Sequence, residues 1–267
     1  MMKIVVLVKQ VPDTTEVRID PKTNTLVREG VASIMNPYDQ FALEEAVRLK
    51  ESVPGSSITV MSMGPPQARK VLLKALALGA DEAVLLSDRA FAGSDTWATS
   101  VALSHAIRKI GDYDAVLCGL QAIDGDTAQV GPETAQLLDI LQVTYVEKVE
   151  YDNGEFTFIQ QTEEGSRKLA VKPPFLVTCI PPPSFLPRIA PFPGLVRASS
   201  HPYRVLNADD IDADRSEIGL NGSPTQVSRT YSPPPRGEVK MLSGDPKKIA
   251  RTVADILQDL NMVGEVE

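Results

Sequence analysis

The chain is poor in the side chains that most often carry chemistry. Its 267 residues include two cysteines, two histidines and one tryptophan, and aromatic residues make up 5%. Cys118 and Cys179 are far apart, and neither stands at metal-ligand spacing from the other or from His105 and His201. No metal site is expected, since zinc could be held here only with added carboxylates. A Ser-His-Asp neighbourhood is also missing, so redox work would need a bound cofactor to carry the electrons. Long apolar runs are absent: none approaches the roughly 20 residues that span a bilayer. The run Ile4 to Val8 is too short for a signal-peptide core. Excess positive charge is lacking as well. The chain has 27 Lys and Arg against 35 Asp and Glu, a net charge of -8, which argues against nucleic-acid binding. A cytoplasmic protein with an ordinary globular core is expected, since 43% of the residues are hydrophobic.

What is present is an alternation of strands and helices. Lys3 to Lys9 is a nearly continuous Val- and Ile-rich run, the mark of a strand buried on both faces of a parallel sheet. A short hairpin is expected from Val17–Asp20 and Leu26–Arg28 around a Pro-Lys-Thr-Asn turn. Asn36-Pro37 opens a helix with Pro at its first position. Further strands are predicted at Ser57–Met63, Ala83–Leu86 and Ala115–Cys118. Helices are predicted at about Gln67–Leu78, stopped by Gly79, at Thr96–Ile110, capped by Ser94-Asp95, and at about Pro132–Leu141. After Val143 the pattern changes to antiparallel strands at Tyr145–Tyr151, Glu155–Thr162 and Ser166–Val171, with Asn153-Gly154 as a turn. Phe175–Ile180 is a last apolar strand. The expected class is α/β: a doubly wound, mostly parallel, Rossmann-like sheet with a small antiparallel extension.

Composition shifts near residue 181. Prolines at 181, 182, 183, 187, 191, 193 and 202 predict no regular structure, and a second cluster falls at 233–235. Phe185, Leu186, Ile189, Phe192, Leu195 and Val196 are too apolar for a solvated linker and call for a covering surface, expected on another subunit, the alternative being the chain's own domain. An amphipathic helix closes the chain, with Asp245 as N-cap and Ile249, Val253, Ile256, Leu257 and Leu260 on one side. The expected division is therefore a nucleotide- or flavin-binding α/β domain at 1–180 and a Pro-rich, partner-embracing arm with a C-terminal helix at 181–267.

In a doubly wound sheet, ligands bind beyond the carboxyl ends of the strands. Three segments should meet there: Val8-Lys9-Gln10, Met61–Gly64 and the glycine-bearing stretch from Cys118 to Pro132. Glycines let backbone approach a ligand, Thr127 and Gln129 can bind phosphate oxygens or an adenine edge, and the next helix N-terminus favours an anion. Asp124 and Asp126 suit capping, a ribose hydroxyl or the orienting of loop amides. The stretch is neither a Walker loop nor a G-x-G-x-x-G fingerprint. Elsewhere, Trp97 and Cys179 read as packing, His105 as a half-buried helix residue, and Glu44 with Arg48 as an i,i+4 pair.

With those residues in view, the chain resembles the beta subunit of electron-transfer flavoprotein over essentially its whole length. The resemblance rests on VLVKQVPDT at 6–14, NPYDQFALEEAVRLKE at 36–51, ALALGADEAVLL at 75–86, PFLVT at 174–178 and, most specifically, GLQAIDGDTAQVGPETA at 119–135. PRIAPFPGLVRA at 187–198 fits the family's recognition-loop region. Simple members hold a structural AMP in this subunit, whereas electron-bifurcating members place a second FAD there. Val11-Pro12-Asp13-Thr14, Asp39 and the Gly-Asp-Thr-Ala-Gln-Val stretch resemble the bifurcating kind.

The resemblance implies an FAD site at Leu7, Val8, Lys9, Asn36, Asp39, Met63, Cys118, Gln121, Asp124, Gly125, Asp126, Thr127, Gln129 and Val130. It implies NADH as the hydride donor to that FAD. One electron would go to ferredoxin or flavodoxin. The other would pass through an alpha-subunit FAD to a dehydrogenase of the acyl-CoA type, docked on Phe192, Pro193, Leu195 and Val196. AMP in the same crevice, in a plain electron-carrier heterodimer, is the other implied arrangement. No residue of this chain is required as a general acid or base in either.

Overall fold

Short Val, Ile and Leu runs punctuated by capped helices build a sheet with helices on both faces. The computed structural model describes residues 1–13, 19–20, 25–26, 32–152, 154–228 and 241–262. The parallel strands are β1 (Lys3–Leu7), β6 (Ser57–Met63), β7 (Glu82–Leu86), β8 (Ala115–Gly119) and β12 (Phe175–Cys179). Two more strands extend this core, β9 (Leu141–Asp152) on one side and β13 (Arg204–Leu206) on the other. β10 (Glu155–Thr162) and β11 (Gly165–Val171) continue antiparallel from β9. The resulting order is β11-β10-β9-β12-β8-β1-β6-β7-β13. Beside this sheet, β2 (Gln10–Pro12) pairs with β5 (Ser33–Met35), and β3 (Ile19–Asp20) pairs with β4 (Thr25–Leu26). The last two strands form the expected hairpin. Its turn, its outer ends Val17 and Arg28, and also Thr14 and Asn153 lie outside the described residues.

Alternate side chains of each central strand enter opposite apolar layers, as the strand period of two requires. Ile4, Val6, Val60, Leu117 and Val177 pack against Phe41 of α1 (Pro37–Ser52) and Leu72 of α2 (Arg69–Leu78). Val5, Leu7, Met61, Val116 and Leu176 pack against Val101 of α3 (Thr96–Ile110) and Ala135 of α4 (Val130–Leu138). Each fully buried side chain of this kind contributes about 1.5–3 kcal/mol.

Several elements depart from expectation for local reasons. α4 ends at Leu138 rather than Leu141, because Asp139 takes a left-handed conformation (φ 56°) and its N–H caps the last turn. Leu141 then starts β9, which runs parallel to β12 before it turns antiparallel to β10. Tyr145, at φ 56°, breaks the alternation inside that strand and hid its first half from the sequence pattern. The proline-rich stretch forms a helix, α5 (Phe192–Ser200), because Pro193 falls in the first turn, where a missing N–H costs nothing. α6 (Gly219–Gly222) is one short turn.

Two compact units separate after Ser228. The first runs from Met1 through the sheet to Ser228 and includes α5, β13 and α6. The second begins at Arg229, and its described part carries α7 (Pro246–Asp259). There the Asp245 carboxylate accepts the Lys247 N–H at 2.8 Å, and Pro246 opens the first turn. No side chain of α7 is buried. No described helix is long and apolar enough to cross a membrane.

Candidate functional site

The strand order creates the site. From β1 the chain winds outward to β6 and β7, then crosses back to place β8 on the other side of β1. The strand ends splay at that reversal, and a crevice of about 500 Å³ opens beyond them. Helices that follow parallel strands all point their N-termini to this end, so their partial positive charges converge on it.

Asp39 ties the two sides of the reversal together. One carboxylate oxygen accepts the Lys9 N–H at 2.7 Å, just past β1, and the other accepts the Gly119 N–H at 3.0 Å, at the end of β8. The carboxyl is buried, and that desolvation pushes its pKa up to about 7 against the pull of its hydrogen bonds. Gly119 is needed because α1 comes so close: a Cβ there would lie 2.5 Å from the Tyr38 Cβ and 2.7 Å from the Asp39 nitrogen. Asn36, fully buried behind the crevice, holds the next loop. Its amide donates to the Gln121 carbonyl at 2.8 Å and its carbonyl accepts the Ile123 N–H at 3.2 Å.

In the loop from Leu120 to Gln129, the Gly125 and Asp126 N–H groups close a turn onto the Ala122 carbonyl at 3.1 and 2.9 Å, and residues 127–129 beyond it line the crevice. Asp126 and Ala128 both have left-handed φ values, 51° and 54°. For an alanine this conformation is costly and is kept where a site requires it. Alternating handedness of this kind turns successive N–H groups toward one concavity, which suits an anion. The aspartates that looked out of place beside a phosphate are occupied. Asp124 pairs with the Lys9 ammonium at 2.6 Å, and Asp126 accepts from the Gln121 side chain at 2.9 Å. Lys9 is the sole Lys or Arg among the described lining residues, so an anion would be met mainly by N–H groups and helix ends.

The crevice takes in Leu7, Val8, Lys9, Asp39, Met63, Cys118, Gln121, Asp124, Gly125, Thr127, Gln129 and Val130. Asn36 and Asp126 do not line it, and they shape the loop instead. Cys118 offers no reactive thiol, because burial pushes its pKa well up. A wall absent from the sequence reading comes from Phe91, Gly93, Ser94, Asp95, Thr96 and Thr99 at the start of α3. The sequence carries a signal for this wall, since β7 also ends at this edge and the Ser94-Asp95 cap follows beyond it. Thr96 donates to Gln129 at 3.3 Å and to Glu133 at 3.2 Å, which joins the first turns of α3 and α4. Gln10, Val11, Pro12 and Ser33 of the β2–β5 ladder, with Gln67 before α2, form the opposite rim.

Phe192, Pro193, Leu195 and Val196 lie elsewhere, exposed on α5. α5 is seated on α2 by Gly194, whose missing Cβ admits the Ala77 carbonyl, and by Arg197, which donates to the Leu76 carbonyl at 3.0 Å. Trp97, read as packing, is instead 41% exposed in the first turn of α3. Among the described residues no cluster of His, Cys, Asp and Glu could hold a metal.

Comparison with known proteins matches this architecture to one family. The electron transfer flavoprotein domain profile matches residues 23–211. The electron transfer flavoprotein subunit beta of Thermoanaerobacterium thermosaccharolyticum is 50% identical over 263 residues, covering 98% of this chain and all of that protein. The caffeyl-CoA reductase-Etf complex subunit CarD of Acetobacterium woodii is 49% identical over 243 residues, 91% of this chain and 92% of that one. Protein FixA of Azotobacter vinelandii is 45% identical over 260 residues, 93% and 92% of the two chains. The chain belongs to the electron transfer flavoprotein family, among its beta subunits.

Proposed function

We propose that this chain is the beta subunit of a heterodimeric, electron-bifurcating electron transfer flavoprotein, and that its crevice binds FAD. The observation that carries the reading is the crevice's extent. Its walls include the first turns of α3 and α4 from one helical layer, and the turn before α2 with the β2–β5 ladder from the other. A mononucleotide would need only part of that length, whereas a dinucleotide with a planar ring at its far end would use all of it. The name of the Acetobacterium relative, which places it in a caffeyl-CoA reductase complex, supports an acyl-CoA-type partner.

When bound, FAD would accept hydride from NADH and release electrons singly, one toward ferredoxin or flavodoxin and one through the alpha-subunit FAD toward an acyl-CoA-type dehydrogenase. The chain's own residues bind, orient and shield. N–H groups of residues 127–129 and the α4 N-terminus would take the pyrophosphate charge. Thr96, within hydrogen-bond distance of both Gln129 and Glu133, would lie at the adenine end. Leu7, Met61 and Met63 supply apolar walls, and Lys9, steadied by Asp124, supplies one fixed positive charge. Asp39 keeps the ends of β1 and β8 at fixed separation, so the crevice is preorganised.

In this reading residues 1–180 carry the flavin site, and residues 181–267, of which those up to Ser228 pack into the same compact unit, engage the alpha subunit and present Phe192, Pro193, Leu195 and Val196 to the dehydrogenase. Coexpression with the alpha subunit, followed by extraction and counting of bound nucleotides, tests the reading. Two FAD per heterodimer are expected, and one FAD with one AMP would overturn it in favour of a structural nucleotide holder.

A further inference from the structure

The segment joining β12 to α5 turns apolar side chains to solvent and is held in that pose from beneath. Leu186 and Ile189 are 87% and 91% exposed, and Phe192 at the start of α5 is 77% exposed. Side chains of this kind ordinarily turn inward or pack on neighbours. The residues between them do the holding. Phe185 meets Phe41 edge to face, with ring centroids 4.9 Å apart. Arg188 spends its whole fork on α1. Its Nε and Nη2 donate to the two oxygens of Glu44 at 2.7 and 2.9 Å. Its Nη1 and Nη2 donate to Glu51 at 2.9 and 3.3 Å.

Glu44 and Glu51 are two helical turns apart, so they share a face of α1, and one planar guanidinium spans them. The sequence suggested that Glu44 would pair with Arg48. Instead Arg48 pairs with Glu45 at 2.6 Å, which leaves Glu44 to Arg188. The paired carboxylates push the Arg188 pKa further up, so the clamp stays charged at any ordinary pH.

We propose that Arg188 is a positioning residue for partner docking: by fixing its segment to Glu44 and Glu51, it holds Leu186, Ile189 and Phe192 as a ready-made apolar row for the dehydrogenase. The inference rests on the docking role proposed above. A preformed row spares the ordering cost that a loose segment would incur on binding. Lysine cannot replace the arginine fully, because a single ammonium cannot bridge both carboxylates with paired bonds.

The test uses the holo heterodimer and an acyl-CoA dehydrogenase to which the wild-type complex is first shown to pass electrons. Arg188→Gln should raise the KM for the dehydrogenase about tenfold at unchanged kcat and FAD content, with Arg188→Lys in between. In the heterodimer alone, amide hydrogen exchange across residues 184–196 should speed up in Arg188→Gln. Phe192→Ala separates the two layers of the argument. If Phe192→Ala raises the KM and Arg188→Gln leaves both KM and exchange as in wild type, the clamp is refuted while docking stands. If Phe192→Ala has no effect on KM, the docking reading fails and the clamp's role falls with it. Should the Arg188→Gln heterodimer fail to assemble, Glu51→Gln carries the test: a KM raised roughly two- to threefold supports the clamp, and an unchanged KM overturns it.

Discussion

Two irregular stretches of this chain, the loop at 120–129 and the segment at 184–196, solve opposite problems. In the loop, polar groups face a concavity and its side chains are tied to the protein: Asp124 to Lys9, Asp126 to Gln121, with Asn36 holding the backbone. In the segment, apolar groups face outward, and ionic and aromatic contacts lie underneath. The segment holds three prolines and the loop a glycine between two aspartates, so composition alone reads both as loops. Their difference is direction. In the function proposed above, the loop would offer backbone N–H groups to an anionic ligand, and the segment would offer side chains to a large apolar partner. Each is held by carboxylates at the start of α1 or along it: Asp39 on the crevice side, Glu44 and Glu51 on the other.

That contrast can be broken at graded cost. The largest effect should come from Gly119→Ala. The new Cβ would press on Tyr38 and Asp39 backbone, and such overpacking costs about 1–3 kcal/mol. Thermal unfolding of the heterodimer should show a lower Tm, and the crevice nucleotide should be lost while the alpha-subunit flavin is kept. Asp39→Asn comes next, because an amide NH2 would face one of two backbone N–H donors. Leaving one buried donor unsatisfied costs about 1–3 kcal/mol.

The same residue gives a pH signature. Its pKa is raised from 3.8 to about 7 in the folded state, so the fold holds the proton longer than the unfolded chain does. Stability from this group is therefore fullest at low pH, declines as pH rises between those values, and levels off above about 7. Denaturant unfolding across that range should show this slope in wild type and lose it in Asp39→Asn. On the outward side, Leu195→Ala should weaken electron transfer to the dehydrogenase by roughly five- to tenfold in kcat/KM with FAD content unchanged. The smallest effect should be Lys9→Met. The Lys9–Asp124 pair is half open to solvent, so its loss should cost at most about 1 kcal/mol of nucleotide affinity, measured by equilibrium dialysis.

Much of the architecture was legible because local signals agreed. Ser57–Met63 read as an apolar strand, Gly79 as a helix stop and Asp95 as an N-cap, and each occupies that place. The crevice followed from one rule about strand ends. What escaped depends on tertiary partners. Nothing near Glu44 in sequence announces Arg188, 144 positions away. β13 has three residues and takes its identity from β7 alone. The wall at Ser94–Thr99 is masked in the sequence, because capping alone accounts for Ser94 and Asp95 there, although a helix start at a sheet's carboxyl edge can cap and line at once. The resemblance implies Asn36 and Asp126 as FAD-binding residues, whereas neither lines the crevice and both brace the loop behind it.

The central claim is that the crevice holds a flavin that answers to NADH. Anaerobic titration of the coexpressed heterodimer with NADH, followed by flavin absorbance, tests it most directly. Bleaching of one flavin in the wild-type complex, lost in Gly119→Ala while the alpha-subunit flavin keeps its spectrum, is the predicted result. A heterodimer whose flavin absorbance does not change with excess NADH would contradict the account.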